Sequence, residues 1–292
     1  MAANKIYGLL GRNISYSLSP VMHNAAFRHF DIPADYELFD IEEERIGDFF
    51  EELSLGHKIY GINVTVPYKV IIKEMLESTD LCNLDESAKL LGAVNTVKID
   101  KNELVGFNTD GEGFYESLLD ETGFDPKGKN VFVLGAGGAS RAICTYLGSL
   151  GEKAPKEIKV FDVDREKLAS IKTLFDEHLL SGKLAVIEEE ELPASIKASE
   201  LVINATPLGT KERDPLPVSP DHLQKSTVVY DLVYARETEL VKTAREKGLT
   251  AVNGLGMLIN QGAVAFNIWT GCPLEEIKKV MRDAVKAESG LS

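Results

Sequence analysis

Polar side chains that could bind or transform a small ligand are concentrated in the first 110 residues, next to short apolar segments. Lys69 supplies an ammonium group and Asp110 a carboxylate, which together could form an ion pair or move a proton. Hydroxyl and amide groups accompany them at Ser17, Ser19, Asn63, Thr65, Asn95, Thr96 and Asn108. Because loops beyond strand ends are where α/β proteins bind ligands, this set predicts a small-molecule site.

Each of these residues also has a simpler explanation. Ser17 and Ser19 could cap the helix that Pro20 begins, and Thr65 could be an ordinary strand residue. Asn95 and Asn108 could hydrogen-bond within their own turns. On spacing alone, Lys69 and Asp110 favour a structural salt bridge. His23 falls about one turn into a helix and is interpreted as structural.

A second set of residues is typical of a dinucleotide site. Gly135, Ala136, Gly137, Gly138 and Ala139 follow the predicted strand Asn130–Leu134 and open a helix. Glycine at 135 permits a tight turn, and glycine at 137 lets the backbone approach a pyrophosphate at the helix N-terminus. The sixth position is Ser140, which is small enough for close packing of strand and helix.

The residues at the end of the next predicted strand indicate which cofactor is favoured. Asp162 lies 22 residues after Ser140, close to the offset at which a carboxylate holds the adenosine ribose. Asp164 follows, and two carboxylates should repel a 2′-phosphate. We therefore expect NAD to be favoured over NADP.

The elements that must position these residues alternate between strand and helix. Strands are predicted at KIYGLLG, DYELFDI and GINVTVP, helices at VIIKEML and at about 111–122, and a hairpin around Asp100–Asn102. The last segment, from Met257 to about Ala287, is predicted helical except near 271–273. We expect an α/β protein with an N-terminal α/β substrate domain at 1–108 and a Rossmann-like dinucleotide-binding domain at 109–256. C-terminal helices at 257–292 are expected to pack back on the substrate domain.

Composition excludes several classes of protein. The 292 residues are 44% hydrophobic and 27% charged, with a net charge of −14 that argues against nucleic acid as a partner. No apolar run approaches the ~20 residues of a membrane span, and the start lacks a leader pattern. Three separated cysteines and scattered histidines predict no disulfide framework and no metal site. We expect a cytoplasmic enzyme, either a monomer or a homodimer.

Seven motifs, in order along nearly the whole chain, resemble the shikimate dehydrogenase family. They are Ser17-Leu18-Ser19-Pro20 with His23-Asn24, Asn63 through Lys69, Gly92 through Thr96, Asn108 through Gly111, Gly135 through Ala139, Asn204 through Pro207, and Asn253 through Leu258 with Gln261. The joint occurrence of these residues at the family's spacing favours a site over the separate simpler explanations.

The resemblance implies a role for each matching residue. Lys69 and Asp110 match the catalytic pair, and Ser17 and Ser19 match the hydroxyls that hold the substrate carboxylate. Thr65, Asn95 and Gln261 match the side chains that bind ring hydroxyls, and Tyr234 matches a tyrosine near the carboxylate. Thr206, Leu232 and Gly254 match the segments that line the nicotinamide. The implied reaction is the reversible, NAD(P)-dependent reduction of 3-dehydroshikimate to shikimate.

Some features point to different branches of the family. Ala235-Arg236 stands where Asn-Pro is frequent, and Gly209-Thr210 also departs from the family pattern, both near the implied nicotinamide position. The acidic Asp162 segment resembles the NAD-using quinate/shikimate branch, whereas Ser19 is typical of members that prefer shikimate. A quinate dehydrogenase, a non-catalytic ligand sensor and a reductase of another cyclic substrate are the alternatives.

Overall fold

The computed structural model of the chain describes residues 5–54, 58–79, 82–100, 103–178, 180 and 182–289. These residues form two compact units. The first comprises the described parts of Met1–Thr109 and Ile259–Ser292, and the second is Asp110–Leu258. The chain therefore leaves the first unit after Thr109 and returns to it within one helix.

The regular elements are numbered in chain order. The strands are β1 Lys5–Gly11, β2 Ala34–Asp40, β3 Ile59–Val64, β4 Cys82–Leu84, β5 Thr96–Asp100, β6 Glu103–Phe107, β7 Asn130–Leu134, β8 Glu157–Phe161, β9 Leu184–Val186, β10 Leu201–Asn204, β11 Val228–Asp231 and β12 Ala251–Asn253. The α-helices are α1 Ser19–His29, α2 Ile46–Ser54, α3 Lys69–Glu77, α4 Glu86–Leu91, α5 Asp110–Thr122, α6 Gly138–Ser149, α7 Arg165–Glu177, α8 Leu192–Lys197, α9 Glu239–Glu246, α10 Leu255–Thr270 and α11 Leu274–Ser289.

The first unit is built on a mixed sheet with the strand order β2-β1-β3-β5-β6-β4. Strand β1 is parallel to β2 and β3, whereas β5 is antiparallel to both β3 and β6. Side chains alternate between the two faces of each strand. Leu10, Ile62 and Val64 enter one core with α2 and α3. Tyr7 faces the other way, against Phe27 of α1 and Trp269 of α10.

The second unit is a parallel sheet with the strand order β12-β11-β10-β7-β8-β9. Both faces are buried: Val131 and Val133 enter one core, and Phe132 enters the other. This explains why its strands are apolar runs without alternation. The strand order reverses beside β7, which is the topological switch point where such sheets bind nucleotides. The α/β class and the Rossmann-like arrangement predicted from the sequence are confirmed.

Long elements were predicted better than short ones. The helices α10 and α11 are separated at 271–273, as the sequence indicates, and β5 and β6 pair as the predicted hairpin. The turn of that hairpin, at 101–102, lies outside the described residues. The short elements β4, α4 and β9 were not predicted, because three to six residues carry too little periodicity to identify.

The described residues contain neither a membrane-spanning helix nor a metal-binding cluster. None of the described helices has the length and apolar character that a membrane crossing requires. No group of His, Cys, Asp and Glu among the described side chains could hold a metal ion.

Gly61 of β3 is packed closely against the indole ring of Trp269. A Cβ at Gly61 would lie 2.5 Å from the indole Nε1, which donates a 3.0 Å hydrogen bond to the carbonyl of Val97. Gly61→Ala is therefore expected to lower the free energy of unfolding by about 1–3 kcal/mol through overpacking. Because Trp269 is the single tryptophan of the chain, denaturation followed by its fluorescence measures this directly.

The control for this variant is Gly47→Ala on α2. A Cβ at Gly47 meets nothing within 4 Å, and alanine is the better helix former, so unfolding should be unchanged or slightly harder. Equal stability of the two variants would contradict the proposed packing constraint.

His23 on α1 is a buried histidine without a polar partner. Its ring is 0% exposed and stacks on Tyr36, with centroids 4.2 Å apart and planes at 5°. Neither ring nitrogen has a hydrogen-bond partner among the described residues. Burial lowers the pKa of His23 from 6.5 to about 3, so the folded protein holds a neutral imidazole.

This lowered pKa predicts how stability depends on pH. The unfolded chain binds a proton at His23 below about pH 6.5 and the folded chain does not, so the contribution is present above pH 6.5 and is lost as pH falls toward 3. Between pH 7 and 5 the loss should be on the order of 2 kcal/mol.

Urea denaturation of wild type and His23→Phe at pH 7 and 5 measures this contribution. The variant should lose that part of the pH dependence. His29→Gln, on the surface of the same helix, should keep it. A variant at 23 with wild-type pH dependence would show that another group is responsible.

Candidate active site

Four strand ends meet at one edge of the first sheet. The parallel strands β1 and β3 both end there, β5 begins there because it is antiparallel to β3, and β6 returns to it. The predicted substrate residues flank these ends: Ser17 and Ser19 follow β1, Thr65 and Lys69 follow β3, and Asn95 precedes β5. The topology thus gathers segments far apart in the sequence.

The two serines are linked to each other at the start of α1. The Ser17 hydroxyl donates to Ser19 Oγ over 3.1 Å and accepts from the Ser19 backbone N–H over 3.2 Å. The residue in the N-cap position is Leu18, so neither serine forms a standard side-chain cap there. Ser17 is half-buried and Ser19 is buried. Two neighbouring hydroxyls of this kind can both donate to a carboxylate.

Lys69 is the first residue of α3, and Thr65 precedes it at the end of β3. The Thr65 backbone N–H donates to the carbonyl of Leu10 on β1 over 2.8 Å. The carbonyl of Lys69 accepts from the backbone N–H of Val94 over 2.9 Å. These bonds hold the lysine backbone between β1 and the segment that carries Asn95. The Lys69 side chain is half-buried.

Asn95 is 2% exposed and is held by Thr109. Its Oδ1 accepts from the Thr109 backbone N–H over 2.9 Å, and its Nδ2 donates to the Thr109 hydroxyl over 3.0 Å. That hydroxyl donates in turn to the carbonyl of Gln261 on α10 over 3.1 Å. Thr109 therefore joins Asn95 to the helix of Gln261. Sequence reasoning missed Thr109, although it stands within the quoted Asn108–Gly111 motif.

Asp110 begins α5 and is the first residue of the second unit. Its side chain is 7% exposed. Gly111 follows it because a Cβ there would meet the backbone oxygen of Ala142 at 2.8 Å and the side chain of Tyr146. Close packing of α5 on α6 thus sets where Asp110 starts its helix.

The glycine turn after β7 has the geometry of a dinucleotide loop. Gly135 adopts φ +103°, and a Cβ there would lie 2.9 Å from the carbonyl of Ala205. Gly137 is the N-cap of α6, and a Cβ at Gly137 or Gly138 would enter open space. Backbone N–H groups at the start of α6, including that of Ala139, can therefore be approached by an anion.

Asp162 accepts hydrogen bonds from the backbone of the glycine turn and of the residues after β8. Its Oδ2 accepts from the Ala136 backbone N–H over 2.7 Å, and its Oδ1 accepts from the Asp164 N–H over 2.9 Å. Asp164 in turn caps α7 by accepting from the N–H groups of Glu166 and Lys167. Both carboxylates are thus required by the local backbone.

The loops after β10 and β11 are joined by a buried polar group that sequence reasoning missed. Asp231 is 0% exposed and accepts from Asn204 Nδ2 over 2.9 Å, from the Thr238 hydroxyl over 2.6 Å and from the Val233 N–H over 3.1 Å. Burial raises the pKa of Asp231, and the hydrogen bonds partly offset that effect. Asn204 Oδ1 accepts from the Thr206 hydroxyl over 2.6 Å, which orients the predicted nicotinamide loop.

Gly254 lies directly against the backbone of Leu232. A Cβ at Gly254 would overlap the Leu232 carbonyl, so these two predicted cofactor residues are brought together only because 254 is glycine. The Leu232 N–H donates to the Asn204 carbonyl over 2.9 Å. Tyr234 follows in the same loop and is half-buried. The second unit therefore groups Thr206, Leu232 and Gly254 around Asn204.

Family models match two parts of the chain. The shikimate dehydrogenase substrate binding domain matches residues 9–97, and the shikimate 5′-dehydrogenase C-terminal domain matches residues 254–286. Shikimate dehydrogenase (NADP+) of Methanopyrus kandleri is 39% identical over 97% of this chain and 96% of its own length.

Solved structures also match nearly the whole chain. Shikimate dehydrogenase from Aquifex aeolicus superposes with a TM-score of 0.84 at 36% identity, over 98% of this chain and 99% of that one. Shikimate 5-dehydrogenase from Listeria monocytogenes, in complex with shikimate and NAD, gives 0.84 at 33% identity over 96% and 97%.

The expectation that NAD is favoured over NADP is wrong. Curated relatives 36–39% identical to the chain are named shikimate dehydrogenase (NADP+). The NAD in the Listeria complex is a bound ligand and does not establish a preference. The error comes from the interpretation of Asp162 and Asp164. Their carboxylates accept hydrogen bonds from backbone N–H groups of the glycine turn and of α7. Their presence is explained by these bonds and therefore does not indicate which form of the ribose is bound.

The structural role of Asp162 can be tested without any cofactor. Asp162→Ala removes the acceptor of two backbone N–H groups, and this is expected to lower the free energy of unfolding by about 1–3 kcal/mol. Chemical denaturation measures the change. Asp164→Asn is the control, because asparagine caps a helix as well as aspartate. Wild-type stability of Asp162→Ala would show that the carboxylate does not hold the turn.

Proposed function

We propose that this chain, which belongs to the shikimate dehydrogenase family, catalyses the reversible, NADP(H)-dependent reduction of 3-dehydroshikimate to shikimate. The observation that carries the proposal is the edge of the first sheet, where Ser17, Ser19, Thr65, Lys69 and Asn95 flank adjoining strand ends. A carboxylate, ring hydroxyls and a reacting carbonyl need this combination of donors.

The substrate groups divide among these residues by chemistry. The paired hydroxyls of Ser17 and Ser19 bind the carboxylate. A net charge of −14 repels an anion at long range, so local donors of this kind are required for an acid to bind. Thr65, Asn95 and Gln261 bind the ring hydroxyls, since amides and hydroxyls both donate and accept.

Lys69 performs the proton transfer. When the carbonyl carbon gains a hydride, its oxygen becomes an alkoxide, and the Lys69 ammonium stabilises and protonates it. In the reverse direction, neutral Lys69 accepts the hydroxyl proton. The family resemblance assigns the second place in the catalytic pair to Asp110.

The second unit fits a dinucleotide. When bound, the nicotinamide supplies or accepts the hydride. Gly137, Gly138 and Ala139 offer open backbone N–H groups to the pyrophosphate, and Thr206, Leu232 and Gly254 line the nicotinamide. We propose that Arg165 meets the 2′-phosphate: its side chain is 80% exposed and, among the described residues, pairs with the surface carboxylate of Glu188. Such a pair contributes about 0–1 kcal/mol and is easily exchanged.

Initial rates with shikimate and with quinate, each with NADP and with NAD, test the proposal. Wild type should turn over shikimate with NADP. Lys69→Ala should reduce kcat by about 10²–10⁴-fold, the usual contribution of a positioned acid or base. Lys73→Ala is the control, because Lys73 lies on the same helix and pairs with Glu77 at the surface.

Two outcomes would contradict the proposal. Folded wild type that binds NADP and turns over neither acid would favour a non-catalytic sensor or another substrate. Undiminished turnover by Lys69→Ala would remove the lysine from the reaction. We also propose a cytoplasmic location and a monomeric or dimeric state, and light scattering of the purified protein measures the latter.

A further inference from the structure

A continuous series of hydrogen bonds crosses the first unit behind the proposed substrate edge. With each donor before its acceptor, it runs through the side chains of Tyr36, Asn63, Thr96, Asn95 and Thr109 to the carbonyl of Gln261. The five bonds span 2.7–3.1 Å. The series joins Tyr36 to Asn95, which is proposed to bind a ring hydroxyl.

Strand register places the middle of this series on one face of the sheet. Tyr36 on β2 pairs with Tyr7 on β1, and Asn63 on β3 pairs with Leu9 on β1 and with Thr96 on β5. Positions 7 and 9 of one strand share a face, so these neighbours do too. Tyr36 is 3% exposed, Asn63 5% and Thr96 0%. Buried polar groups at these positions must satisfy one another.

Tyr36 is the first donor of the series. Its hydroxyl donates to Asn63 Oδ1 over 2.7 Å. The amide nitrogen of Asn63 donates in turn to the Thr96 hydroxyl over 3.0 Å. Every other hydroxyl in the series can donate in the same direction, an arrangement in which neighbouring bonds strengthen each other.

Ring stacking and backbone hydrogen bonds fix the position of Tyr36. It stacks on His23 at 4.2 Å and contacts Trp269 at 6.3 Å between centroids. Its backbone N–H donates to Asn24 Oδ1 over 2.8 Å, and its carbonyl accepts from Asn24 Nδ2 over 3.0 Å. Burial raises the pKa of Tyr36, which keeps the hydroxyl a neutral donor.

We propose that Tyr36 is a positioning residue for the substrate, ordering the Asn63–Thr96–Asn95 group through its hydroxyl. The inference rests on the proposed function. Without this hydroxyl, Asn63 Oδ1 lacks its 2.7 Å donor. The orientation of Asn95 depends on Asn63 through Thr96, so the part of the site proposed for the ring hydroxyls loses order. Binding of the substrate should suffer more than the chemical step.

The test is steady-state kinetics of Tyr36→Phe with shikimate and NADP. KM for shikimate should rise about tenfold, the effect of losing roughly one or two hydrogen bonds to bound substrate, with kcat within about threefold of wild type. KM for NADP should stay within about twofold. Tyr7→Phe is the control, because Tyr7 lies on the same face in the same aromatic cluster but outside the series. It should leave both constants unchanged.

A double-mutant cycle measures the coupling between two substitutions in their effect on KM, which a merely structural tyrosine would not show. The effects of Thr96→Val and Tyr36→Phe on KM should be less than additive, because both interrupt the same series. Thr96→Val, which keeps the side-chain shape and removes the hydroxyl between Asn63 and Asn95, should reproduce the rise in KM. This second variant keeps the proposal testable if Tyr36→Phe fails to fold.

Several outcomes separate this inference from the proposed function. Wild type that turns over shikimate, with unchanged KM in Tyr36→Phe or in Thr96→Val, overturns the inference alone. Strictly additive effects in the cycle, or a loss of kcat with unchanged KM, do the same. Folded wild type without shikimate turnover overturns the proposed function and this inference with it.

Discussion

The antiparallel register between β3 and β5 places Asn63 opposite Thr96, and the ordered edge of the first unit depends on that pairing. Both side chains are buried, so each needs a polar neighbour, and the register supplies it. Thr96 then reaches Asn95, and Asn95 reaches Thr109 at the end of the unit's first segment. A shift of β5 by one residue in this register would turn Thr96 to the opposite face of the sheet, away from Asn63.

The second unit places its polar groups differently from the first. Its strands are buried on both faces, so the polar groups are confined to the loops beyond the strand ends. There the buried carboxylate of Asp231 is matched by three donors, and this links the loop after β10 to the loop after β11. A buried charge of this kind is costly unless it is fully hydrogen-bonded, and here the bonds hold a loop rather than a ligand.

Asp162 shows why a residue's place in a motif does not define its role. Its distance from the glycine turn is that of a ribose-binding carboxylate, and NAD was predicted on that basis. In the fold its oxygens accept from Ala136 and Asp164, and the curated relatives are NADP+ enzymes. The same side-chain chemistry serves the backbone and the ribose equally well, and only the acceptor geometry distinguishes them.

The sequence by itself determined the α/β class, the glycine turn at the end of β7, the long helices α10 and α11, and the family, because these rest on periodicity and on motifs that are local in the chain. The tertiary structure alone decided the short elements β4 and α4 and the grouping of Asp231, Asn204 and Thr238. It also decided that Tyr36, an ordinary strand tyrosine in the sequence, donates a hydrogen bond to Asn63. Hydrogen bonds between residues 27 or more positions apart depend on strand register, and register is set by the packing of the whole sheet.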